Sequence, residues 1–129
     1  MPSPFDYAIV RVVPRVERGE QLNVGIIVSC PVRDFLAADI AFDRARIAAA
    51  FPWLAADDIA AALANIPLVA AADPRGGPIA AMPRSERFHW LVAPRSAVIQ
   101  TSAVHTGLCD APEHVLPRLM QQLVLPPAR

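Results

Sequence analysis

The sequence predicts an α+β fold in which an antiparallel sheet of about five strands carries two to three helices packed on one face. Two apolar segments near the N-terminus flank a short polar turn, which is the pattern of a β-hairpin. An Ala-rich middle segment has its large apolar residues at helical spacing. A second pair of short apolar segments follows, and then a terminal amphipathic segment. With 129 residues, the chain is expected to form a single domain over residues 1–129.

The N-terminal third is predicted to form three antiparallel strands. The first covers residues 5–13 and ends before Pro14, which has no N–H to donate to a neighbouring strand. The second covers residues 22–30, and a third over residues 35–42 would complete a meander. Gly25 inside the second strand indicates either a β-bulge or a close packing contact.

The middle of the chain is predicted to be helical. Asp43 is a suitable N-cap for a short helix that Pro52 ends. A second helix is expected over residues 54–66, closed by Pro67. Residues 70–86 have no periodicity and contain several Gly and Pro, so they predict a long flexible loop.

The C-terminal part is predicted to contain a second hairpin and a last helix. Phe88, Trp90 and Val92 alternate in a predicted strand over residues 87–93, which would pair with a strand over residues 97–102. The spacing of Asp110 and Glu113 is that of a capping box at the start of the last helix.

Composition limits the classes of function. The chain has twelve basic residues, all of them Arg, and twelve acidic residues, so its formal net charge is zero and nucleic-acid binding is not favoured. No apolar run reaches the roughly 18 residues of a membrane span, and the N-terminus lacks the features of a signal peptide, which predicts a cytoplasmic protein away from membranes. Cys30 and Cys109 are expected to be free thiols.

No established cofactor or metal motif is present. His105, Cys109 and His114 carry metal-ligating atoms and Asp110 lies among them, but their spacing matches no standard zinc motif. Gly76 and Gly77 lack the spacing and the Lys of a phosphate-binding loop. We therefore expect neither a metal nor a cofactor.

A set of polar residues from the two predicted hairpins and the loop after them forms the candidate site. These residues are Arg11, Glu20, Asn23, Arg95, Ser96, Gln100 and His105. Two guanidinium groups beside amide side chains suit an anionic group, and Glu20 or His105 would then act as acid or base.

The same residues also have a structural interpretation. Arg11 would form an ion pair with Glu20 that sets the register of the hairpin, and Asn23 would bond the backbone of the turn. Arg95 would anchor the second turn. The sequence favours this structural interpretation, because no nucleophile and base lie close together in it.

Several of these residues also carry a family resemblance. The pattern consists of Tyr7, then Arg11 with Pro14, then Glu20 with Asn23 and Gly25, and later Arg87-Phe88-His89-Trp90-Leu91, Ala93-Pro94-Arg95-Ser96, Gln100 and Gly107. This combination resembles a family of small bacterial proteins catalogued as a domain of unknown function. The resemblance implies no established activity. It does imply a partner, because members are often encoded beside a kinase resembling the HipA toxin kinase, in a toxin–antitoxin-like context.

Two functions of different classes follow from these observations. The first is a non-catalytic accessory or interaction protein of the bacterial cytoplasm that works with a HipA-like kinase, and the absence of a catalytic motif favours it. The alternative is a small enzyme, or a protein that binds an anion or nucleotide ligand through the Arg, Asn, Gln and His cluster. A pocket lined by Arg11, Asn23, Arg95 and Gln100 would favour the alternative, whereas internal pairing would favour the first.

Overall fold

A computed structural model describes residues 1–94 and 97–127 of the chain. In this part of the chain, a five-stranded antiparallel sheet and four α-helices form an α+β fold, which confirms the predicted fold class. The strands are β1 Ser3–Val12, β2 Leu22–Cys30, β3 Phe35–Ile40, β4 Ile99–Thr101 and β5 His105–Cys109. The helices are α1 Arg44–Ala50, α2 Ala56–Ala70, α3 Arg84–Val92 and α4 Pro112–Leu123.

β1 lies at the centre of the sheet. Its antiparallel neighbours β2 and β3 extend the sheet on one side as the predicted meander. On its other side, β5 pairs with the first half of β1 and β4 with the second half. Between them, the Ser102 hydroxyl accepts the Ile9 N–H at 2.9 Å and the Ser102 N–H donates to the Ile9 carbonyl at 2.8 Å. β4 and β5 therefore behave as one edge strand with an interruption at Ser102.

Helices cover both faces of the sheet. Three helices, α1 to α3, pack on the face that carries Val10 and Val12, and they form the predicted layer of two to three helices on one face. The fourth helix, α4, packs on the opposite face against Phe5, Ile9 and Ile26. Both faces of β1 and β2 are consequently apolar, which is why these two strands show little alternation in sequence. No helix within the described residues is long and apolar enough to span a membrane.

A β-bulge in β2 changes which residues share a face. Val10 lies opposite Gly25, but Arg11 lies opposite Asn23, so Val24 is the extra residue. A Cβ on Gly25 would meet the Ile40 side chain and would lie 2.6 Å from the Asp39 carbonyl oxygen. Both expectations for Gly25, a bulge and a close contact, are thus confirmed.

The predicted strand over residues 87–93 is wrong, because this segment belongs to α3. The segment fits a strand with Phe88, Trp90 and Val92 on one face, and it also fits a helix in which Arg87, Phe88 and Leu91 share a face. The buried residues follow the helical pattern. The second hairpin is therefore also wrong, since β4 pairs with β1, and the segment expected as a loop around His105 forms β5.

Three predicted boundaries have different outcomes. The N-cap at Asp43 is confirmed, because its carboxylate accepts the Arg46 N–H at 3.1 Å. Pro67 does not close α2, which continues for another turn as Val69 and Ala70 become buried. The capping box at Asp110 is wrong, since α4 begins at Pro112 with Ala111 as its N-cap and without a side-chain cap bond.

The segment over residues 70–86 contains two short 3-10 helices, Pro74–Gly76 and Pro78–Ala81, before α3 begins. Its flexibility stays a prediction.

Candidate functional site

Three of the predicted polar residues lie in one row across the sheet, on the face that α4 covers. Arg11 in β1 lies opposite Asn23 in β2 and opposite Gln100 in β4. The Arg11 Nε donates to the Asn23 Oδ1 at 3.3 Å. The Asn23 Nδ2 then donates to the Leu123 carbonyl at the C-terminal end of α4, at 3.0 Å. This polar row, defined as Gln100, Arg11 and Asn23, therefore joins the sheet to α4.

The bulge at Val24 makes this row possible. Regular alternation along β2 would place Asn23 on the same face as Ile27 and away from Ile26. The extra residue reverses the faces, so Asn23 joins Ile26 on the α4 face, where Arg11 also lies. Sequence alternation alone could not have placed the two side chains together.

The members of the polar row differ in how many of their side-chain donors and acceptors form hydrogen bonds. Asn23 is bonded at both ends of its amide. Gln100 donates from its Nε2 to the Ala97 carbonyl at 2.9 Å. Arg11 is partly buried and donates only its Nε to residues of the described chain, which leaves its two terminal nitrogens without a protein acceptor there. The row is mainly structural, with one guanidinium edge still available to a ligand.

Glu20 does not pair with Arg11. Its carboxylate accepts from the Arg18 Nε, and both side chains are largely exposed. The register explains this outcome, because β1 and β2 pair only as far as Val12 and Leu22, so Glu20 lies beyond the paired region. The predicted Arg11–Glu20 ion pair is therefore wrong, because within residues 1–94 and 97–127 Glu20 pairs with Arg18 instead.

His105 lies on the same face but away from the polar row. It is opposite Tyr7 in the register of β1 and β5, and the two ring centroids are 5.2 Å apart. Arg11 is four residues further along β1, or about 13 Å at the usual rise of a strand. The remaining predicted members, Arg95 and Ser96, lie outside the described residues.

Sequence reasoning placed Arg87 in the family pattern but did not predict its unusual surroundings in α3. Arg87 is only 8% exposed, and its Nε and Nη1 atoms have no hydrogen-bond partner among residues 1–94 and 97–127. The helical spacing of Arg87 with Phe88 and Leu91 was the signal that could have found it. Assignment of the segment to a strand obscured that signal.

Two cavities at the surface are lined by residues outside the predicted set. One of about 510 Å³ is open to solvent and is lined by Arg15, Glu17, Arg18 and Trp53. Another of about 290 Å³ lies at the start of α4. Its lining residues are Leu108, Cys109, Asp110, Ala111, His114, Val115 and Arg118.

The second cavity contains one of the two thiols. Cys30 and Cys109 are both free, as expected. Burial, together with the neighbouring Cys30 thiol, raises the pKa of Cys109 above its usual value, so this thiol is mostly protonated at neutral pH. Within the described chain, no group of three or more His, Cys, Asp or Glu side chains is arranged to hold a metal ion.

These features define an α+β protein with a two-sided antiparallel sheet and a polar row between its central strand and α4. The chain belongs to the family described as Protein of unknown function (DUF3037), whose profile matches residues 7–124. No curated protein and no solved structure matches the chain. The expected membership of a family without an assigned function is confirmed, and any activity has to be inferred from the structure.

Proposed function

We propose that this protein is a non-catalytic interaction protein that binds an extended segment of a partner protein along β5. The observation that carries the proposal is the open edge of β5, which pairs only with β1 in the described sheet. An unpaired strand edge offers N–H and C=O groups to a further strand, which is a common mode of peptide recognition.

The register shows which backbone groups of β5 face outward. Pro4 lies opposite Leu108 and has no N–H, so these two residues form a pair that exchanges no backbone hydrogen bonds. Such pairs alternate with bonded pairs in an antiparallel ladder, so Thr106 opposite Asp6 is also not bonded to β1. The N–H and C=O groups of Thr106 and Leu108 therefore point away from the sheet.

The two edges of the sheet differ in protection. On β3, the exposed Asp39 accepts the outward N–H of Ile40 at 2.9 Å. Charged residues of this kind hinder the addition of a further strand. β5, with the sequence His105-Thr-Gly-Leu-Cys109, contains neither a carboxylate nor a proline, and its Leu108 side chain is 68% exposed. Of these two edges, β5 is the one suited to a partner strand.

The polar row supports a non-catalytic role. Asn23 and Gln100 bond internal carbonyl groups, and Arg11 bonds Asn23, so these side chains mainly stabilise the fold. The candidate partner is a HipA-like kinase in the bacterial cytoplasm, which the family resemblance suggests.

The proposal is tested by co-expression with a HipA-like kinase from the same host and purification through a tag on the kinase. Leu108→Pro removes an outward N–H of β5 without removing a hydrogen bond to β1, and should abolish co-purification. Ala38→Pro is the matched control, because residue 38 lies between Ala37 and Asp39 and directs its N–H to the outer edge of β3. It should leave the complex intact.

If the purified protein and the purified kinase do not form a complex, the partner assignment is overturned. Equal loss of binding in both variants, or in neither, would overturn the role of β5.

A second candidate function, binding of a small anionic ligand, is favoured by the two terminal nitrogens of Arg11. Titration with a nucleoside monophosphate, followed by NMR of the Arg side chains, should then shift the Arg11 signal. A signal that stays unchanged at millimolar ligand would exclude this function at Arg11.

A further inference from the structure

The turn between β1 and β2 lies beside an exposed tryptophan, and together they form the open cavity of about 510 Å³. Its lining residues are Arg15, Glu17 and Arg18 of the turn and Trp53 of the link between α1 and α2. A cavity of this volume lies within the usual range of small-molecule sites in proteins. The lining therefore combines an aromatic ring with two guanidinium groups and one carboxylate.

The backbone of the turn brings the two guanidinium groups to the same side. Residues Val16–Arg18 form a single 3-10 turn, in which the Arg18 N–H donates to the Arg15 carbonyl at 3.1 Å. Side chains three residues apart in such a turn lie one above the other, which explains why Arg15 and Arg18 line one cavity. One wall of the cavity consequently carries two cations.

Both arginines have donors available to a ligand. Arg15 pairs with Glu17 at 3.8 Å, which is longer than a hydrogen bond. Arg18 donates to Glu20 through its Nε, and its two terminal nitrogens make no hydrogen bond within the described part of the chain. The side chains of both pairs are exposed, and exposed ion pairs contribute little to stability. A phosphate group can therefore replace the carboxylates at a small cost.

Trp53 offers a ring on which a flat ligand can stack. Its ring lies edge-on to that of the buried Phe51, with the centroids 5.8 Å apart and an angle of 66° between the planes. This contact holds the indole at one side, while 55% of the surface of Trp53 stays exposed. Aromatic side chains exposed in this way stack on nucleobases of any sequence, because every base has a flat π-face.

We propose that this cavity binds a nucleoside phosphate, with the base stacked on Trp53 and the phosphate held by Arg15 and Arg18. A guanidinium offers paired donors that match phosphate oxygens. Glu17 supplies an acceptor of the kind that a ribose hydroxyl needs. Two Arg and one Glu leave the lining with one net positive charge, which favours an anionic ligand.

This site goes beyond the proposed interaction role and does not depend on it, because neither the turn nor Trp53 belongs to the β5 edge. It is also separate from Arg11, which does not line this cavity.

The test is calorimetric titration of the full-length protein with adenosine monophosphate, a purine nucleotide with a large ring for stacking. We expect saturable binding with a dissociation constant below about 1 mM. Adenosine and inorganic phosphate, titrated separately, should each bind at least about tenfold more weakly, because each makes only one of the two kinds of contact.

Fluorescence locates the base. The chain has two tryptophans, and Trp90 does not line the cavity, so a Trp90→Phe variant reports Trp53 alone. Adenosine monophosphate should quench this signal, and half of the quenching should occur at the dissociation constant found by calorimetry. Calorimetry of the unsubstituted protein decides the question if Trp90→Phe does not fold.

Substitutions in the cavity identify the contacts. Arg15→Gln and Arg18→Gln should each weaken binding about tenfold or more, because each removes charge-assisted donors to the phosphate. Trp53→Leu should weaken it about tenfold through the loss of stacking. Arg118→Gln is the matched control, since it removes an exposed Arg of α4 that lines another cavity, and it should leave the affinity unchanged.

Three results would overturn the proposal. The first is the lack of saturable binding of adenosine monophosphate below about 1 mM. The second is inorganic phosphate or adenosine that binds as tightly as the nucleotide, which would reduce the site to a simple anion or ring site. The third is binding that persists in the Arg15, Arg18 and Trp53 variants but is lost in Arg11→Met, which would move the ligand to Arg11.

Discussion

Arg11 shows how one backbone irregularity decides the partner of a charged side chain. The Val24 bulge brings Asn23 opposite Arg11, while Glu20 remains beyond the paired strands and bonds Arg18. The Asn23 Nδ2 also donates to the Leu123 carbonyl. The bond that the sequence suggested for Glu20 is therefore made by Asn23.

A double-mutant cycle should measure this exchange of partners. Asn23→Ala leaves the Arg11 Nε and the Leu123 carbonyl without their bonds, so we expect a loss of about 1–2 kcal/mol in the free energy of unfolding. Arg11→Met should be less than additive with Asn23→Ala, because both remove the same hydrogen bond. The measurement is urea unfolding.

The control cycle combines Arg11→Met with Glu20→Ala. Glu20 is exposed, so its replacement should cost under about 0.5 kcal/mol and should be additive with Arg11→Met. Coupling between Arg11 and Glu20 that exceeds the coupling between Arg11 and Asn23 would contradict the observed pairing.

Asp73 gives a prediction for pH dependence. Hydrogen bonds from the Arg75 side chain, and then from the Arg75 backbone N–H, lower the pKa of Asp73 from 3.8 to about 2. Because the folded-state pKa lies below the unfolded value, the stabilisation is fully present above pH 3.8 and is lost as the pH falls towards 2. An NMR titration of the Asp73 carboxyl group should have its midpoint near pH 2.

Arg75→Met tests the cause of this shift. The variant removes the side-chain donors but keeps the backbone donor, so the Asp73 midpoint should move part of the way back towards 3.8. A midpoint that is the same in both proteins would show that the Arg75 side chain is not responsible.

At the level of elements, Ser102 holds together an edge strand that is broken into β4 and β5. Its hydroxyl takes the place of a strand carbonyl by accepting the buried Ile9 N–H. Its backbone N–H keeps the usual strand bond to the Ile9 carbonyl. The hydroxyl is thus the group on which continuity of the edge at this point depends.

We expect Ser102→Ala to destabilise the protein by about 1–3 kcal/mol, because a buried N–H loses its acceptor. Hydrogen exchange of the Ile9 amide should accelerate more than that of its neighbours. Ser102→Thr retains a hydroxyl at the same position, and Ser85→Ala removes an exposed serine of α3 as a control for general effects. Unchanged exchange at Ile9 in Ser102→Ala would argue against this role.

At the level of the whole molecule, the sheet separates two apolar clusters. One lies under α1, α2 and α3, and the other lies under α4 and includes the fully buried Cys30. α4 is the helix that packs beside Cys30 in this cluster, and the Asn23–Leu123 bond helps to hold its end. The reactivity of Cys30 therefore reports whether α4 separates from the sheet on its own or only when the whole protein unfolds.

In a Cys109→Ala variant, Cys30 should react with a thiol reagent only through global unfolding. The opening free energy calculated from the reaction rate of Cys30 should equal the free energy of unfolding measured in urea, because burial of Cys30 depends on strands and helix together. In the reciprocal Cys30→Ala variant, Cys109 should react faster, since it is partly exposed, and faster still as the pH rises. A much lower opening free energy at Cys30 would reveal independent detachment of α4.

Local patterns determined a large part of this architecture. The apolar segments of β1 and β2, the polar turn between them and the cap at Asp43 are all short-range features, and the structure has them where the sequence predicted them. The class of fold follows from these elements, because each apolar segment has to bury a face against another. The resemblance implied membership of a family of unknown function, and the profile match over residues 7–124 shows such a family.

Tertiary structure decided what local patterns left open. The segment from Arg84 to Val92 satisfies the spacing of both a strand and a helix, and packing against α2 and the sheet selects the helix. The partner of Arg11 depends on the β2 bulge, and the sequence pattern does not show which residues of β1 and β2 lie opposite each other around it. The pairing of β5 depends on a strand about a hundred residues earlier. The burial of two Arg87 donor atoms without a hydrogen-bond acceptor from the described residues has the same origin, because it arises only when distant elements meet around one side chain.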